Sequence, residues 1–217
     1  MNKKFAVVLA GCGNKDGAEI QEAVLTLLAI DQEECSYQCF APDVLQGRTL
    51  NFITNKSLKE KRNVLVESAR IARIDIKPLD EFNANEFDII VFPGGSGVAH
   101  NLCTYAKDGI EMTINVDVVN AITSMHQANK PIGALCISPV IVAKLIPYVQ
   151  VTFGKDEKAN EAFSSIGVNA INSPANKIVI DEKNKVVTTP CYMQKTHIAH
   201  MFQGISRLVK ELIRLSL

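Results

Sequence analysis

Cys136 is the side chain of this sequence whose setting best fits covalent chemistry. It follows the apolar run 131–135 and precedes Ser138 and Pro139, a pair typical of a helix start. A strand, a sharp turn and a helix in this order place the thiol at a sheet edge, facing helix N–H groups that favour the thiolate. The pattern predicts a nucleophile elbow, although it shares only the layout of the serine motif G-x-S-x-G. The alternative is a buried, inert cysteine at the end of a core strand.

A second candidate loop follows the apolar strand 88–92 and begins with Gly94 and Gly95. Glycines allow backbone N–H groups to turn inward, and a pair of such donors beside a thiolate would form an oxyanion hole. His100 and Asn101 begin the segment that follows this loop, and each is a candidate to face the same crevice. The alternative is a plain glycine turn between a strand and a helix.

A third loop holds Gly11, Gly13 and Gly17. Their spacing, G-x-G-x-x-x-G, is one residue longer than the dinucleotide fingerprint G-x-G-x-x-G, which disfavours a nucleotide cofactor. The helix predicted over residues 18–30 carries Glu19 in its first turn, where a carboxylate stabilises the N-terminus. The residues of this helix predicted to face inward are Ile20, Ala23, Val24, Leu27 and Leu28.

The elements that position these loops are apolar strands alternating with amphipathic helices. The predicted strands are residues 4–10, 36–41, 88–92, 131–135, 177–181 and 185–189, and the predicted helices are residues 18–30, 57–73, 116–127, 195–217 and the segment from the elbow to 145. This order predicts a flavodoxin-like α/β fold, a doubly wound, mainly parallel sheet with helices on both faces and a C-terminal antiparallel edge hairpin. The three loops then meet at the carboxyl ends of the strands.

A polar stretch lies between the second strand and the next helix. Residues 48–54 follow a strand end, so they are expected to wall the crevice. Ser57 is the predicted N-cap of the helix over 57–73. The charged side chains of this helix form either a cluster against the crevice or a solvated face with intrahelical ion pairs; they are Arg62, Glu67, Arg70 and Arg73.

The length of the chain indicates one domain over residues 1–217. Lysine plus arginine and aspartate plus glutamate both number 23, so no overall charge favours nucleic acid or an anionic membrane. No apolar run is long enough for a membrane span or a signal sequence. The six cysteines form no C-x-x-C cluster, which indicates free thiols in a reducing compartment. We therefore expect a cytoplasmic protein without nucleic-acid or membrane partners.

The run 91–95, Val-Phe-Pro-Gly-Gly, and the elbow at Cys136 resemble the PfpI-type, class I glutamine amidotransferase-like superfamily. Further runs cover almost the whole chain and resemble the ElbB-type glyoxalases, also called isoprenoid biosynthesis proteins with an amidotransferase-like domain. These runs are residues 11–13, 16–20, 39–43, 62–67, 70–73, 130–133 and 187–190.

The resemblance implies a slow, cofactor-independent glyoxalase with Cys136 as nucleophile and Glu19 as its acidic neighbour. The thiolate would add to glyoxal, Glu19 would move a proton between the two carbons, and water would release glycolate. The predicted oxyanion and substrate contacts are Gly94, Gly95, Ile137 and Asn101. No metal or glutathione is expected, the substrate is a small dicarbonyl or aldehyde, and the superfamily implies a homodimer.

The histidines depart from the superfamily's amidotransferase pattern. Those enzymes have a glutamate two residues after the catalytic histidine, whereas His197 is followed at that spacing by Ala199 and His200 by Phe202. No histidine lies between Cys136 and His197, where the deglycase-like relatives usually have one. Glutamine hydrolysis is therefore disfavoured. The alternatives to a glyoxalase are a metabolite-binding or cysteine-oxidation sensor and a structural, chaperone-like subunit.

Overall fold

The computed structural model of the protein describes residues 2–217. Its strands are β1 (Lys4–Val8), β2 (Ser36–Ala41), β3 (Leu50–Asn51), β4 (Lys56–Ser57), β5 (Ile76–Pro78), β6 (Ile89–Phe92), β7 (Ile132–Leu135), β8 (Gln150–Val151), β9 (Asn169–Ala170), β10 (Val179–Asp181) and β11 (Val186–Thr189). Its α-helices are α1 (Ile20–Gln32), α2 (Val64–Ala72), α3 (Tyr105–Asp108), α4 (Val116–Gln127), α5 (Pro139–Leu145), α6 (Glu157–Ser164) and α7 (Ile198–Leu215).

Seven strands form one sheet in the order β10-β11-β7-β6-β1-β2-β5. The β10–β11 pair is antiparallel and every other neighbouring pair is parallel. The central strands are buried on both faces, which explains why β1, β6 and β7 read as continuous apolar runs. Helices cover both faces, and the predicted doubly wound fold with an antiparallel edge hairpin is confirmed.

The parallel register brings the ends of β1, β6, β7 and β11 to the same edge of the sheet. Leu135 at the end of β7 is paired with Thr189 at the end of β11, and Phe92 at the end of β6 is paired with Ala134. The loops after these strands therefore converge, as the sequence predicted.

The segment before α2 differs from the prediction. Ser57 belongs to the short antiparallel pair of β3 and β4, and the helix begins only at Val64. Asn63 is the N-cap, because its side-chain oxygen accepts a hydrogen bond from the Val66 N–H at 3.0 Å. Of the charged cluster on this helix, Glu67 forms ion pairs with Arg70 at 3.1 Å and Arg62 at 3.7 Å.

The buried face of α1 also differs from the prediction. Ile20, Val24 and Leu28 were expected to face inward, but each is more than 40% exposed. The buried face instead carries Glu22 and Thr26. The Thr26 hydroxyl donates to the Glu22 carbonyl at 2.7 Å, so this polar side chain is satisfied inside the structure. Apolar residues lie on both sides of α1, which is why the apolar spacing indicated the wrong face.

No helix within residues 2–217 is long and apolar enough to cross a bilayer.

Candidate active site

Cys136 lies directly after β7 and adopts a left-handed backbone conformation, with φ of 57°. This conformation is uncommon for a residue other than glycine and is the sharp turn of a nucleophile elbow. The turn is fixed from two sides. The Cys136 N–H donates to the Thr189 carbonyl at 2.9 Å, and the buried Ser138 hydroxyl donates to the Pro93 carbonyl at 2.8 Å. These bonds hold the elbow against β11 and the loop that begins at Gly94.

The carboxyl group that contacts the Cys136 thiol belongs to Glu22, which the sequence interpretation missed. Glu22 is fully buried and forms a side-chain hydrogen bond with Cys136. Its Oε2 accepts from the Gly94 N–H at 3.1 Å, and its Oε1 accepts from the Tyr192 N–H at 3.2 Å. Glu22 thus joins the loops after β6 and β11 to the nucleophile. A signal that could have indicated this face of α1 is the pair of small residues Ala23 and Ala29, which permit close packing on the sheet.

Burial dominates the electrostatics of this pair. It raises the pKa of Glu22 to about 8, against the smaller opposing effect of the N–H donors from Tyr192 and Gly94. Burial also raises the pKa of the Cys136 thiol, and the nearby Glu22 charge adds to this, whereas the N–H groups of Gly95 and Ile137 lower it. Near neutral pH both groups are therefore mostly protonated, and the fraction of Glu22 that is ionised, which grows as pH rises toward about 8, is the proton acceptor for the thiol.

Glu19 lies one helical turn before Glu22 and has a different environment. Its Oε2 accepts from the Glu22 N–H at 2.7 Å, which makes Glu19 the N-cap of α1. Its own N–H donates to the Gly94 carbonyl at 2.8 Å. The side chain is half-buried and lines the cavity in front of Cys136, and burial raises its pKa. The structure therefore places Glu19 beside the site, but the carboxyl group that accepts a hydrogen bond from the thiol is that of Glu22.

The two glycines have different roles. A Cβ at Gly94 would collide with Cys136 Cβ and Glu22 Oε2, so the close packing of the nucleophile requires glycine there. Because the Gly94 N–H is bonded to Glu22, the prediction that Gly94 contacts the substrate oxygen is corrected. Gly95, with φ of 107°, and Ile137 direct their N–H groups toward the Cys136 sulfur and line the cavity.

Asn101 lies outside the cavity lining. Its Nδ2 donates to the carbonyls of Ala10 at 2.8 Å and Asp16 at 2.9 Å, and its Oδ1 accepts from the Gly47 N–H at 2.8 Å. The predicted substrate contact at Asn101 is therefore corrected, because this buried amide ties three loops together. The neighbouring His100 does line the cavity.

The cavity in front of Cys136 has a volume of about 770 Å³. The polar residues of its lining are Asn14, Lys15, Glu19, Gln21, Ser96, His100, Tyr105 and Tyr192. Residues 48–54 were expected to wall the crevice, but they are not part of this lining. Arg48 hydrogen-bonds to the Lys15 carbonyl.

The two histidines near the C-terminus, His197 and His200, are exposed, and their rings are 5.9 Å apart. Within residues 2–217, no group of three His, Cys, Asp or Glu side chains is placed to hold a metal ion.

Comparison with known proteins identifies the family. The ES1 protein homolog, mitochondrial, of Rattus norvegicus is 40% identical over 223 residues, covering 98% of this chain and 84% of the relative. A human relative, glutamine amidotransferase-like class 1 domain-containing protein 3, mitochondrial, is 39% identical and is covered to 83%. The chain belongs to the ES1 family of class I glutamine amidotransferase-like proteins. No protein-family model matches the chain.

A solved structure supports the same assignment for this ES1-family protein. The isoprenoid biosynthesis protein with amidotransferase-like domain from Ehrlichia chaffeensis is 38% identical, with a TM-score of 0.92 over 98% of this chain and 99% of that one. The resemblance predicted from the sequence is confirmed. The names of these relatives specify no reaction, and the homodimer stays a prediction.

The expected cytoplasmic location is wrong by these comparisons, because the rat and human ES1-family relatives are both named mitochondrial proteins. The expectation came from composition and the absence of apolar runs. Cellular addresses are read from short targeting signals, and the composition of a folded domain carries no such signal.

Proposed function

We propose that this ES1-family protein is a cofactor-independent glyoxalase that converts glyoxal to glycolate through Cys136. The observation that carries the proposal is the contact between the elbow thiol and the fully buried Glu22, at the end of an open cavity. A thiol with its own proton acceptor and adjacent N–H donors is the arrangement that covalent catalysis on a carbonyl requires.

The first step is addition of the Cys136 sulfur to one aldehyde carbon. Ionised Glu22 takes the thiol proton as the S–C bond forms, and the carbonyl oxygen becomes the hydroxyl of a hemithioacetal. The N–H groups of Gly95 and Ile137, which already point at the sulfur, are the donors closest to the developing oxyanion. No other reactant is consumed in this step.

The second step is an internal redox transfer between the two carbons. A base removes the proton from the sulfur-bearing carbon to give an enediol, and protonation of the other carbon leaves a thioester of glycolate. Water then hydrolyses the thioester and regenerates the thiol, so one glyoxal and one water give one glycolic acid. We assign the carbon-to-carbon proton transfer to Glu19, because it lines the cavity whereas Glu22 is enclosed against the sulfur.

Oxidation sensing is a weaker interpretation of the same cysteine. Redox-sensing thiols are accessible and have a lowered pKa. Cys136 is 7% exposed, and burial raises its pKa.

The test is glycolate formation from glyoxal by purified protein, measured by mass spectrometry without added metal or thiol. We expect Cys136→Ser to lose the activity down to the uncatalysed background. Cys35→Ser is the matched control, since Cys35 is a partly exposed thiol outside the cavity lining whose sulfur hydrogen-bonds to the Glu33 carbonyl. Glycolate formation by Cys136→Ser at the parent rate would refute the proposal.

A further inference from the structure

Two cations near the cavity mouth have no carboxylate partner. Lys15 lines the cavity, and its Nζ donates to the neutral Asn55 Oδ1 at 2.9 Å. Arg48 Nε donates to the Lys15 carbonyl at 2.8 Å, so its guanidinium lies against the same loop. Within residues 2–217 neither side chain forms an ion pair, in contrast to Arg70 on α2 and Arg62 just before it. Their positive charge is therefore available to a ligand.

Few charges oppose these cations in the cavity. The acidic side chain of the lining is Glu19, since Glu22 is enclosed behind the thiol and retains its proton near neutral pH. Burial and the Arg48 charge lower the pKa of His100, so its ring is neutral at pH 7 and offers one N–H donor. The cavity thus has a nucleophile with an acidic neighbour and, separately, a positively charged loop with a neutral donor.

The cavity is also much larger than glyoxal. A volume of about 770 Å³ is within the range of roughly 300–1,000 Å³ that pockets for drug-sized ligands occupy. Glyoxal has four heavy atoms and would leave most of this space to water. A substrate with a longer chain would reach from Cys136 toward the loop of Lys15.

We propose that the preferred substrate is a 2-oxoaldehyde that carries an anionic group at the end remote from its aldehyde, recognised by Lys15. This inference rests on the proposed glyoxalase function and names the substrate class of that site. The aldehyde reacts at Cys136, and the anionic end lies away from the Glu19 carboxylate and toward Lys15, with Arg48 adding long-range attraction. The orientation follows from charge, because the reverse orientation would place two negative charges together.

A suitable probe is 4,5-dioxopentanoate, in which two methylene groups separate a carboxylate from the dicarbonyl unit. Its methyl ester has the same chain without the charge. Addition of the thiol to the aldehyde, proton transfer between the two carbonyl carbons and hydrolysis with one water convert the acid to 2-hydroxyglutarate. The balance requires no oxidant or reductant.

The experiment compares kcat/KM for the acid and its ester in the parent protein, in Lys15→Gln and in Lys183→Gln. Lys183 is an exposed lysine in the turn between β10 and β11, at the sheet edge opposite Cys136, and is the matched control. We expect the parent and the control to prefer the acid by about fivefold, as for a solvent-facing ion pair. Lys15→Gln should reduce the ratio to about one, and added salt should reduce it in the parent.

A second measurement is independent of turnover. The rates at which 3-maleimidopropionate and its methyl ester label Cys136 are followed by mass spectrometry. A preference for the acid that Lys15→Gln abolishes supports anion recognition even if no dicarbonyl is converted, in which case the proposed function alone fails. Turnover of glyoxal with equal rates for acid and ester, in both measurements, overturns the inference and leaves the proposed function standing. An acid preference that survives in Lys15→Gln also overturns it.

Discussion

Two buried carboxylates, Glu22 on α1 and Glu67 on α2, have opposite surroundings. Glu67 is 6% exposed and lies between two guanidinium groups, with its Oε2 at 3.1 Å from Arg70 Nε and 3.7 Å from an Arg62 nitrogen. Glu22 is fully buried, and its partners are two backbone N–H groups and the Cys136 thiol. Within residues 2–217 no cation lies within ion-pair distance of Glu22.

This difference separates a structural carboxylate from a chemically useful one. A guanidinium partner offsets the cost of burying a carboxylate charge. Neutral N–H donors compensate only part of the cost of burying a charge, so burial raises the pKa of Glu22 to about 8. This value is close to the pH at which a proton acceptor is most effective. Glu67 is expected to stabilise the fold, and Glu22 is expected to move a proton.

The largest effect that tests the contrast between Glu22 and Glu67 is the loss of activity when Glu22 is replaced. We expect Glu22→Gln to lower kcat/KM for glyoxal by about 10²–10⁴-fold, because the thiol loses its proton acceptor. In the parent, kcat/KM should rise with pH through about 8, where Glu22 becomes ionised, and the variant should lack this rise. Glu33→Gln, at the other end of α1, is the control. An unchanged pH profile in Glu22→Gln would contradict the assignment.

The next effect is on the pH dependence of stability. Because the folded-state pKa of Glu22 lies above the unfolded value of 4.5, the folded state binds the proton more tightly. The free energy of unfolding should therefore fall as pH rises above 4.5 and level off above about 8. Between pH 6 and 9 we expect a loss on the order of 2 kcal/mol, measured by urea denaturation. The loss should be much smaller in Glu22→Gln, and an equal slope in both proteins would show that another group causes it.

The smallest effect concerns Glu67. We expect Glu67→Gln to lower the free energy of unfolding by about 1 kcal/mol, a modest value because Arg70 is 65% exposed and solvent screens the pair. Glycolate formation should be unchanged, since the side chain is not part of the cavity lining. Glu60→Gln, whose exposed carboxylate pairs with Arg62, is the control and should leave the denaturation midpoint unchanged. A loss of activity in Glu67→Gln with unchanged stability would remove the contrast between the two carboxylates.

The sequence predicted the elbow and the convergence of loops because both depend on local patterns. Apolar runs on buried parallel strands, and helix starts such as Ser138-Pro139, are short-range signals. Helix α4 was predicted with its observed limits, Val116–Gln127. The helix predicted from Ser57 began too early, because residues 56–57 pair with 50–51 across a turn and the cap is Asn63.

The partner of Cys136 could not be predicted from local patterns. Apolar residues on both sides of α1 allow two inward faces, and Glu22 is selected only by N–H groups from Gly94 and Tyr192, which are 72 and 170 residues away in the chain. The role of Asn101 could not be predicted from local patterns either, because its amide hydrogen-bonds to three backbone groups that are distant in the chain.

By itself the sequence determined the doubly wound sheet, the cysteine at the end of β7 and the superfamily, because strand and helix periodicity and glycine turns are properties of neighbouring residues. Only the tertiary structure decided which glutamate meets the thiol at Cys136. That choice depends on the burial and hydrogen bonds of Glu22, and both arise where segments far apart in the chain pack together.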